Sequence, residues 1–131
     1  METIKPSQNS PIGIFDSGLG GLTVLKSLET ILPNESFIYF GDTAHVPYGT
    51  KSAETVIRYS QHIMDFFQKH ETKAVVIACN TASAVAFQHL QQLYNIPLFD
   101  VVAPSVEFAI NHTKNKKIGV VGTFSTIYSN A

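Results

Sequence analysis

The sequence predicts an α/β fold, in which a parallel sheet is flanked by helices. Short apolar runs alternate with segments whose apolar residues recur every three or four positions, and small polar residues follow several of the runs. Regular alternation of strand and helix is typical of parallel strands joined by crossover helices. With 131 residues, 44% of them hydrophobic, the chain is long enough for one domain with a hydrophobic core.

The first βα unit follows a polar segment, residues 1–10, which predicts a flexible tail. The apolar run PIGIF, residues 11–15, predicts a buried strand. DSGLGG, residues 16–21, predicts a turn, because its glycines permit backbone angles that other residues avoid. Leucines at three- and four-residue steps then predict a helix over 22–32, which Pro33 ends.

The next two units repeat this order. Strands are predicted at SFIYFG (36–41) and at KAVVIAC (73–79), whose unbroken apolar and β-branched residues are typical of a central parallel strand. Between them, DTAHVPYGTKS (42–52) predicts a long loop, and apolar residues over 53–67 predict an amphipathic helix. The segment 81–94 predicts a helix with five inward residues, namely Ala82, Val85, Ala86, Leu90 and Leu93.

The last part of the chain predicts a fourth strand (98–102), a short helix (103–113), a fifth strand at KIGVVG (117–122) and the beginning of a helix (123–131). A crossover helix normally returns to a further strand. We therefore expect the chain to be truncated.

Composition and charge exclude several classes of partner. The net charge is −1, so no basic field indicates nucleic acid or a membrane surface. The first residues contain no apolar signal region, and the longest apolar run is too short to span a bilayer. The one cysteine forms no internal disulfide, which fits a reducing, cytoplasmic location.

Three polar clusters follow predicted strands: Asp16-Ser17, the loop 42–49, and Cys79-Asn80-Thr81. Open parallel sheets bind ligands beyond the carboxyl ends of their strands, so we expect one shared site. Cys79 precedes a helix N-terminus, which favours a thiolate, while Asn80 or Thr81 can cap the helix. The alternative is a buried, inert cysteine beside an ordinary cap.

The other two clusters also leave alternatives open. Asp16 and Ser17 can orient the thiol or bind an ammonium group, or they can form an Asx turn that caps the next helix. Tyr48 and the backbone of Gly49 can donate to a small ligand, or they can form a rigid surface turn. No metal or nucleotide cofactor is expected, because the glycines do not match G-x-G-x-x-G and the histidines lack zinc-type spacing.

Four stretches in this order and spacing resemble the glutamate racemases of the aspartate/glutamate racemase family. They are FDSGLGGLTVL (15–25), GDTAHVPYGTKS (41–52), VVIACNTASA (75–84) and VGTFST (121–126). The resemblance covers residues 11–131 and is to the N-terminal half of such an enzyme. It implies two pseudo-symmetric α/β domains with a site in the cleft between them. Residues 11–100 would be the first domain, and 101–131 the incomplete start of the second.

The resemblance also implies a function and a set of site residues. The family interconverts L- and D-glutamate without a cofactor, which supplies D-glutamate for peptidoglycan, and it uses two cysteines on opposite faces of the α-carbon. Cys79 would be the first cysteine, assisted by Asp16. The residues that would hold the amino acid are Asp16, Ser17, Pro47, Tyr48, Gly49, Asn80, Thr81 and Thr126.

The chain departs from the family in one respect, because the second cysteine and the Thr-His after it are missing. We therefore expect the chain alone not to racemise glutamate. Three alternatives remain open: an aspartate or hydantoin racemase relative, a non-catalytic amino-acid-binding fragment, and a homodimer that pairs two Cys79 thiols.

Overall fold

A four-stranded parallel sheet forms the centre of the protein, as seen in a computed structural model that describes residues 6–129 and 131. Its strands are β1 (Ile12–Asp16), β2 (Phe37–Gly41), β3 (Ala74–Ile77) and β4 (Leu98–Asp100). Their order across the sheet is β2-β1-β3-β4, so the first strand lies inside the sheet and the second at its edge. The predicted α/β class with a parallel sheet is confirmed.

Helices follow the strands as the sequence predicts. They are α1 (Leu22–Ile31), α2 (Ala53–Lys69), α3 (Asn80–Leu93), α4 (Val102–His112) and α5 (Phe124–Tyr128), with a 3₁₀ turn at Tyr48–Thr50. The bounds of the four strands and of α1 to α4 agree with the predicted bounds to within two residues. Of the predicted tail, residues 1–5 lie outside the described residues, and a turn closed by the Ser10 N–H and the Ser7 carbonyl precedes β1.

The core lies between the sheet and the pair α2 and α3, which pack on each other. On α2 the apolar stripe is buried as predicted, and the ring of Phe67 lies 6.5 Å from that of Phe15 on β1. On α3 the small residues Ala82 and Ala86 are fully buried, which lets the helix approach the sheet closely. Leu93, predicted inward, is 56% exposed because it is the last residue of α3 and extends past the core.

The leucines of α1 recur at helical spacing, but they do not form a buried stripe that faces the core. No residue of α1 is buried, and Leu22 and Leu32 at its two ends are 43% and 38% exposed. The helix lies against the edge strand β2. Within the described residues, little else covers it.

The predicted fifth strand at residues 117–122 is wrong. That segment is extended but unpaired, and Val120 and Val121 point into solvent. An apolar, β-branched run becomes a strand only where a neighbour accepts its hydrogen bonds, and the described part of the chain offers none. The division of the chain at residue 100 stays a prediction. In the same described residues, no helix is long and apolar enough to cross a membrane.

Candidate active site

The carboxyl ends of three adjacent strands bring the predicted polar clusters to one edge of the sheet. Asp16 ends β1 and lies in register with Gly41, the last residue of β2, which Asp42 follows directly. Cys79 lies two residues beyond the end of β3, the other neighbour of β1. The parallel register, rather than proximity in sequence, therefore assembles the site.

Cys79 caps α3. Its Sγ atom accepts the N–H of Ala82 at 3.4 Å, while its thiol donates to the Ser17 hydroxyl at 3.5 Å. The predicted caps, Asn80 and Thr81, are already helical, because the extended backbone that a cap requires occurs at Cys79. The residue is 5% exposed and belongs to the buried core cluster, so the burial expected of the inert alternative is present. The sulfur nevertheless has a hydroxyl and a helix N–H as neighbours, which distinguishes it from a thiol enclosed by hydrocarbon.

Asp16 holds the glycine turn. Its Oδ2 atom accepts the N–H groups of Gly18 and Gly21 at 3.2 and 3.0 Å, and the side chain is buried. A methyl group on Gly21 would lie 2.7 Å from the Asp16 Cβ atom, so the turn can close only over a glycine. The Asx-type turn left open by the sequence is therefore present.

Tyr48 is buried, and its hydroxyl donates to Asp42 Oδ2 at 2.5 Å. The phenol is thus engaged inside the protein rather than free to bind a ligand. Burial, followed by the hydrogen bond to Asp42, raises the pKa of Tyr48 well above its usual value, so the phenol stays protonated. His45 Nδ1 lies 2.7 Å from the other oxygen of Asp42. Pro47, in a cis peptide with Val46, is exposed just before the 3₁₀ turn.

Three threonine hydroxyls form a cluster beside the first turn of α3. Thr81 Oγ1 lies 3.0 Å from that of Thr123 and 3.5 Å from that of Thr126, and the last two are 2.9 Å apart. Asn80 is exposed in the same turn. The Ser125 hydroxyl donates to the Gly49 carbonyl at 3.3 Å, so the segment that carries α5 contacts the 3₁₀ turn.

Sequence reasoning included Asp42 in the loop cluster 42–49 without giving it a role of its own. It missed Thr123 and also Tyr39, whose hydroxyl donates to the Gly18 carbonyl at 3.0 Å. Thr123 and Tyr39 had no local signal, since their contacts join segments that are distant along the chain. Among the described residues, no group of three or more His, Cys, Asp or Glu side chains could hold a metal ion.

The arrangement suits a small, charged molecule. One edge of the sheet combines a thiol, a buried carboxylate, a hydroxyl cluster and the N-terminus of a 14-residue helix. Helix N–H groups and hydroxyls bind carboxylates, whereas a carboxylate binds an ammonium group. This edge of the sheet therefore offers partners for both signs of charge beside a thiol.

Comparisons with known proteins show which family the chain resembles. A protein-family model described as Asp/Glu/Hydantoin racemase matches residues 12–131. The chain is 49% identical over 132 residues to the glutamate racemase of Chlorobaculum tepidum, covering 100% of this chain and 48% of that protein. It is 55% identical over 120 residues to that of Geobacter metallireducens, covering 92% and 44%. The chain spans about half the length of the curated relatives it matches.

Solved structures of glutamate racemases have the same fold as this chain. The glutamate racemase of Aquifex pyrophilus superposes with a TM-score of 0.89 at 48% identity, covering 91% of this chain and 47% of that one. The enzyme of Francisella tularensis, solved in complex with D-glutamate, superposes with a TM-score of 0.86 at 48% identity, covering 94% and 46%.

Proposed function

This chain belongs to the Asp/Glu/hydantoin racemase family, and we propose that it contributes one half of a site that interconverts L- and D-glutamate without a cofactor. Relatives of about 50% identity named glutamate racemase support the substrate, as does the related structure that contains D-glutamate. We propose further that the D-glutamate is used for peptidoglycan and that the reaction takes place in the cytoplasm.

The position of the Cys79 sulfur carries this proposal. The atom lies at the N-terminus of α3, where the helix dipole and the Ala82 N–H favour negative charge. A thiolate is the form of cysteine that removes a proton. Held at the carboxyl end of β3, it can abstract the α-proton of an amino acid bound above the sheet.

Racemisation needs a proton donor on the opposite face of the α-carbon. A fixed thiol serves one face, and the 131 residues contain one cysteine. In the proposed two-cysteine mechanism, the second thiol is therefore not among these residues. One thiol begins ionised and the other protonated, and the roles are exchanged after each turnover. The 131 residues alone are expected not to racemise glutamate.

The remaining site residues have proposed roles that come from the family resemblance and are compatible with their positions. Asp16 assists the thiol and faces the ammonium group. The hydroxyl cluster around Thr81 and Thr126, with the Asn80 amide, receives a carboxylate and stabilises the charge that develops at the carbanion. The other residues proposed to contact the amino acid are Ser17, Pro47, Tyr48 and Gly49.

A chimera tests the proposal. The matching segment of the Chlorobaculum tepidum enzyme is replaced by this chain, and α-deuterium incorporation and optical rotation are followed with glutamate. We expect turnover by the chimera, none by the 131-residue chain, and a loss of about 10²- to 10⁴-fold when Cys79→Ser removes the general base. Substantial turnover by the Cys79→Ser chimera contradicts the role of Cys79, and inversion by the isolated chain contradicts the need for a second thiol.

The same chimera separates the two substrate classes in the family description. Aspartate is one methylene shorter than glutamate, and a single methylene changes discrimination by about 10- to 200-fold. We expect glutamate to be the better substrate. A higher kcat/KM for aspartate would assign this chain to the aspartate branch.

A further inference from the structure

Tyr39 lies on the edge strand β2, and its hydroxyl reaches the glycine turn. The hydroxyl donates to the Gly18 carbonyl at 3.0 Å, across 21 positions of sequence. The half-buried phenol lies against two glycines, since a methyl group on Gly21 would lie 3.1 Å from the hydroxyl and one on Gly41 would lie 3.2 Å from Cε1. The absence of side chains at Gly21 and Gly41 therefore leaves the space that the phenol occupies against the turn.

The turn that Tyr39 holds also carries the hydroxyl next to the thiol. Gly18 is bonded directly to Ser17, whose Oγ accepts the Cys79 thiol at 3.5 Å. Asp16 fixes the N–H side of the same turn through Gly18 and Gly21. Only Tyr39 has a side chain that donates to the Gly18 carbonyl among the described residues. The two peptide groups on either side of the Gly18 Cα atom are thus each held by a side chain, the Ser17–Gly18 peptide by Asp16 and the Gly18–Leu19 peptide by Tyr39.

We propose that Tyr39 is a positioning residue, which fixes Gly18 and thereby keeps the Ser17 hydroxyl within hydrogen-bonding distance of the Cys79 sulfur. The proposal deepens the proposed function, on which its importance for catalysis rests. When the thiol loses its proton, the Ser17 hydroxyl can rotate and donate to the thiolate, together with the Ala82 N–H. Hydrogen bonds to a charged acceptor are stronger than those between neutral groups.

The protonation state of Tyr39 is consistent with this role. Burial, followed by the negative charges of Asp16 and Cys79, raises the pKa of Tyr39 above its usual value. The phenol therefore remains a donor throughout the neutral pH range.

The experiment measures the alkylation of Cys79 by iodoacetamide as a function of pH in the 131-residue chain, where one cysteine gives one signal. Tyr39→Phe keeps the ring and removes the donor. We expect the midpoint of the pH–rate profile to rise by about half a pH unit, so that alkylation near pH 7 slows about threefold. The limiting rate at high pH reports access to the buried sulfur, which separates a looser turn from a weaker thiolate.

Two controls assign the effect to the pathway through Ser17. Tyr94→Phe removes another bonded phenol, one that donates to Gln61 and Asp65, and it should leave the profile unchanged. Ser17→Ala alone should shift the midpoint as Tyr39→Phe does, and the double variant should shift it no further. Additive shifts, or an unchanged midpoint in a folded Tyr39→Phe chain, overturn the proposal.

Circular dichroism confirms that each variant is folded at the assay temperature. If Tyr39→Phe does not fold, the unaltered chain still provides a test by NMR, because a phenol bonded to Gly18 should give a slowly exchanging hydroxyl proton. A rapidly exchanging proton overturns the proposal. Because alkylation needs no substrate, this result is independent of whether the chimera racemises glutamate.

Discussion

The buried bond between Tyr48 and Asp42 should contribute far more to stability than a chemically identical bond at the surface. Tyr48→Phe removes one oxygen and leaves the ring in a site that is 1% exposed. The Asp42 carboxylate, itself buried, then loses a donor at 2.5 Å and keeps His45. Hydrogen bonds to charged groups contribute about 1.5–3 kcal/mol, so we expect the free energy of unfolding to fall by about 2 kcal/mol.

The chain contains a matched comparison. Tyr94 donates to Asp65 at 2.8 Å in an exposed setting, where solvent replaces the lost partner. Tyr94→Phe should therefore cost less than about 1 kcal/mol. In thermal unfolding, at roughly 4 °C per kcal/mol for a domain of this size, Tm should fall by about 8 °C in Tyr48→Phe and by less than about 4 °C in Tyr94→Phe.

Urea unfolding followed by circular dichroism measures both variants, with unchanged m-values as the criterion that only stability has changed. Adding Asp42→Asn completes a double-mutant cycle, and we expect a coupling energy of at least about 1 kcal/mol between Tyr48 and Asp42. Equal losses for Tyr48→Phe and Tyr94→Phe, or a coupling energy near zero, would refute the reasoning.

Three further predictions concern stability. Three tyrosines have a raised pKa in the folded protein, namely Tyr39, Tyr48 and Tyr94. Their contribution is complete below about pH 10 and is lost as the pH rises above it, because the unfolded chain releases its protons first. Urea midpoints should therefore fall as the pH rises above about 10, less steeply in Tyr48→Phe. Ser60→Ala should raise the free energy of unfolding by about 1 kcal/mol in urea titrations, because this buried hydroxyl has no partner among the described residues, whereas Ser83→Ala, which removes a bonded hydroxyl, should lower it. Gly49→Ala would place a methyl group 2.4 Å from Thr123 Cγ2 and should lower the unfolding free energy by about 1–3 kcal/mol, with amide exchange rising in α5; an unperturbed α5 contradicts that contact.

Local patterns in the sequence were sufficient to predict most of the fold. Strands β1 to β4 and helices α1 to α4 each follow from a run or a period that lies within the element itself. The segment 117–122 shows the limit of this reasoning, because its apolar residues satisfy the strand pattern, yet a strand depends on a neighbour that the pattern does not contain. Leu22 shows the same limit for burial, which depends on what covers a helix face.

The site was predictable in its location and less so in its internal bonding. Strand ends predicted where Asp16 and Cys79 lie, since parallel strands align their carboxyl ends. The sequence could not show that Cys79 itself caps α3 or that Tyr48 donates to Asp42, because those choices depend on backbone angles and on distances across the loop. The position of Cys79 before a helix N-terminus suggested a reactive thiol, but its role in racemisation and the role of Thr126 came from family resemblance, and they stay proposals.

A single sulfur atom in this protein serves both the proposed chemistry and the architecture, and that constrains how the position can change over evolutionary time. Cys79 is the N-cap of α3, a position that favours a short side chain with a hydrogen-bond acceptor, as in serine, threonine, asparagine and aspartate. Of these, serine differs from cysteine by one atom and would satisfy the Ala82 N–H equally well. A related protein with serine at this position could therefore keep the fold and lose the proposed reaction. Such a serine would indicate a family member that is folded but not catalytic.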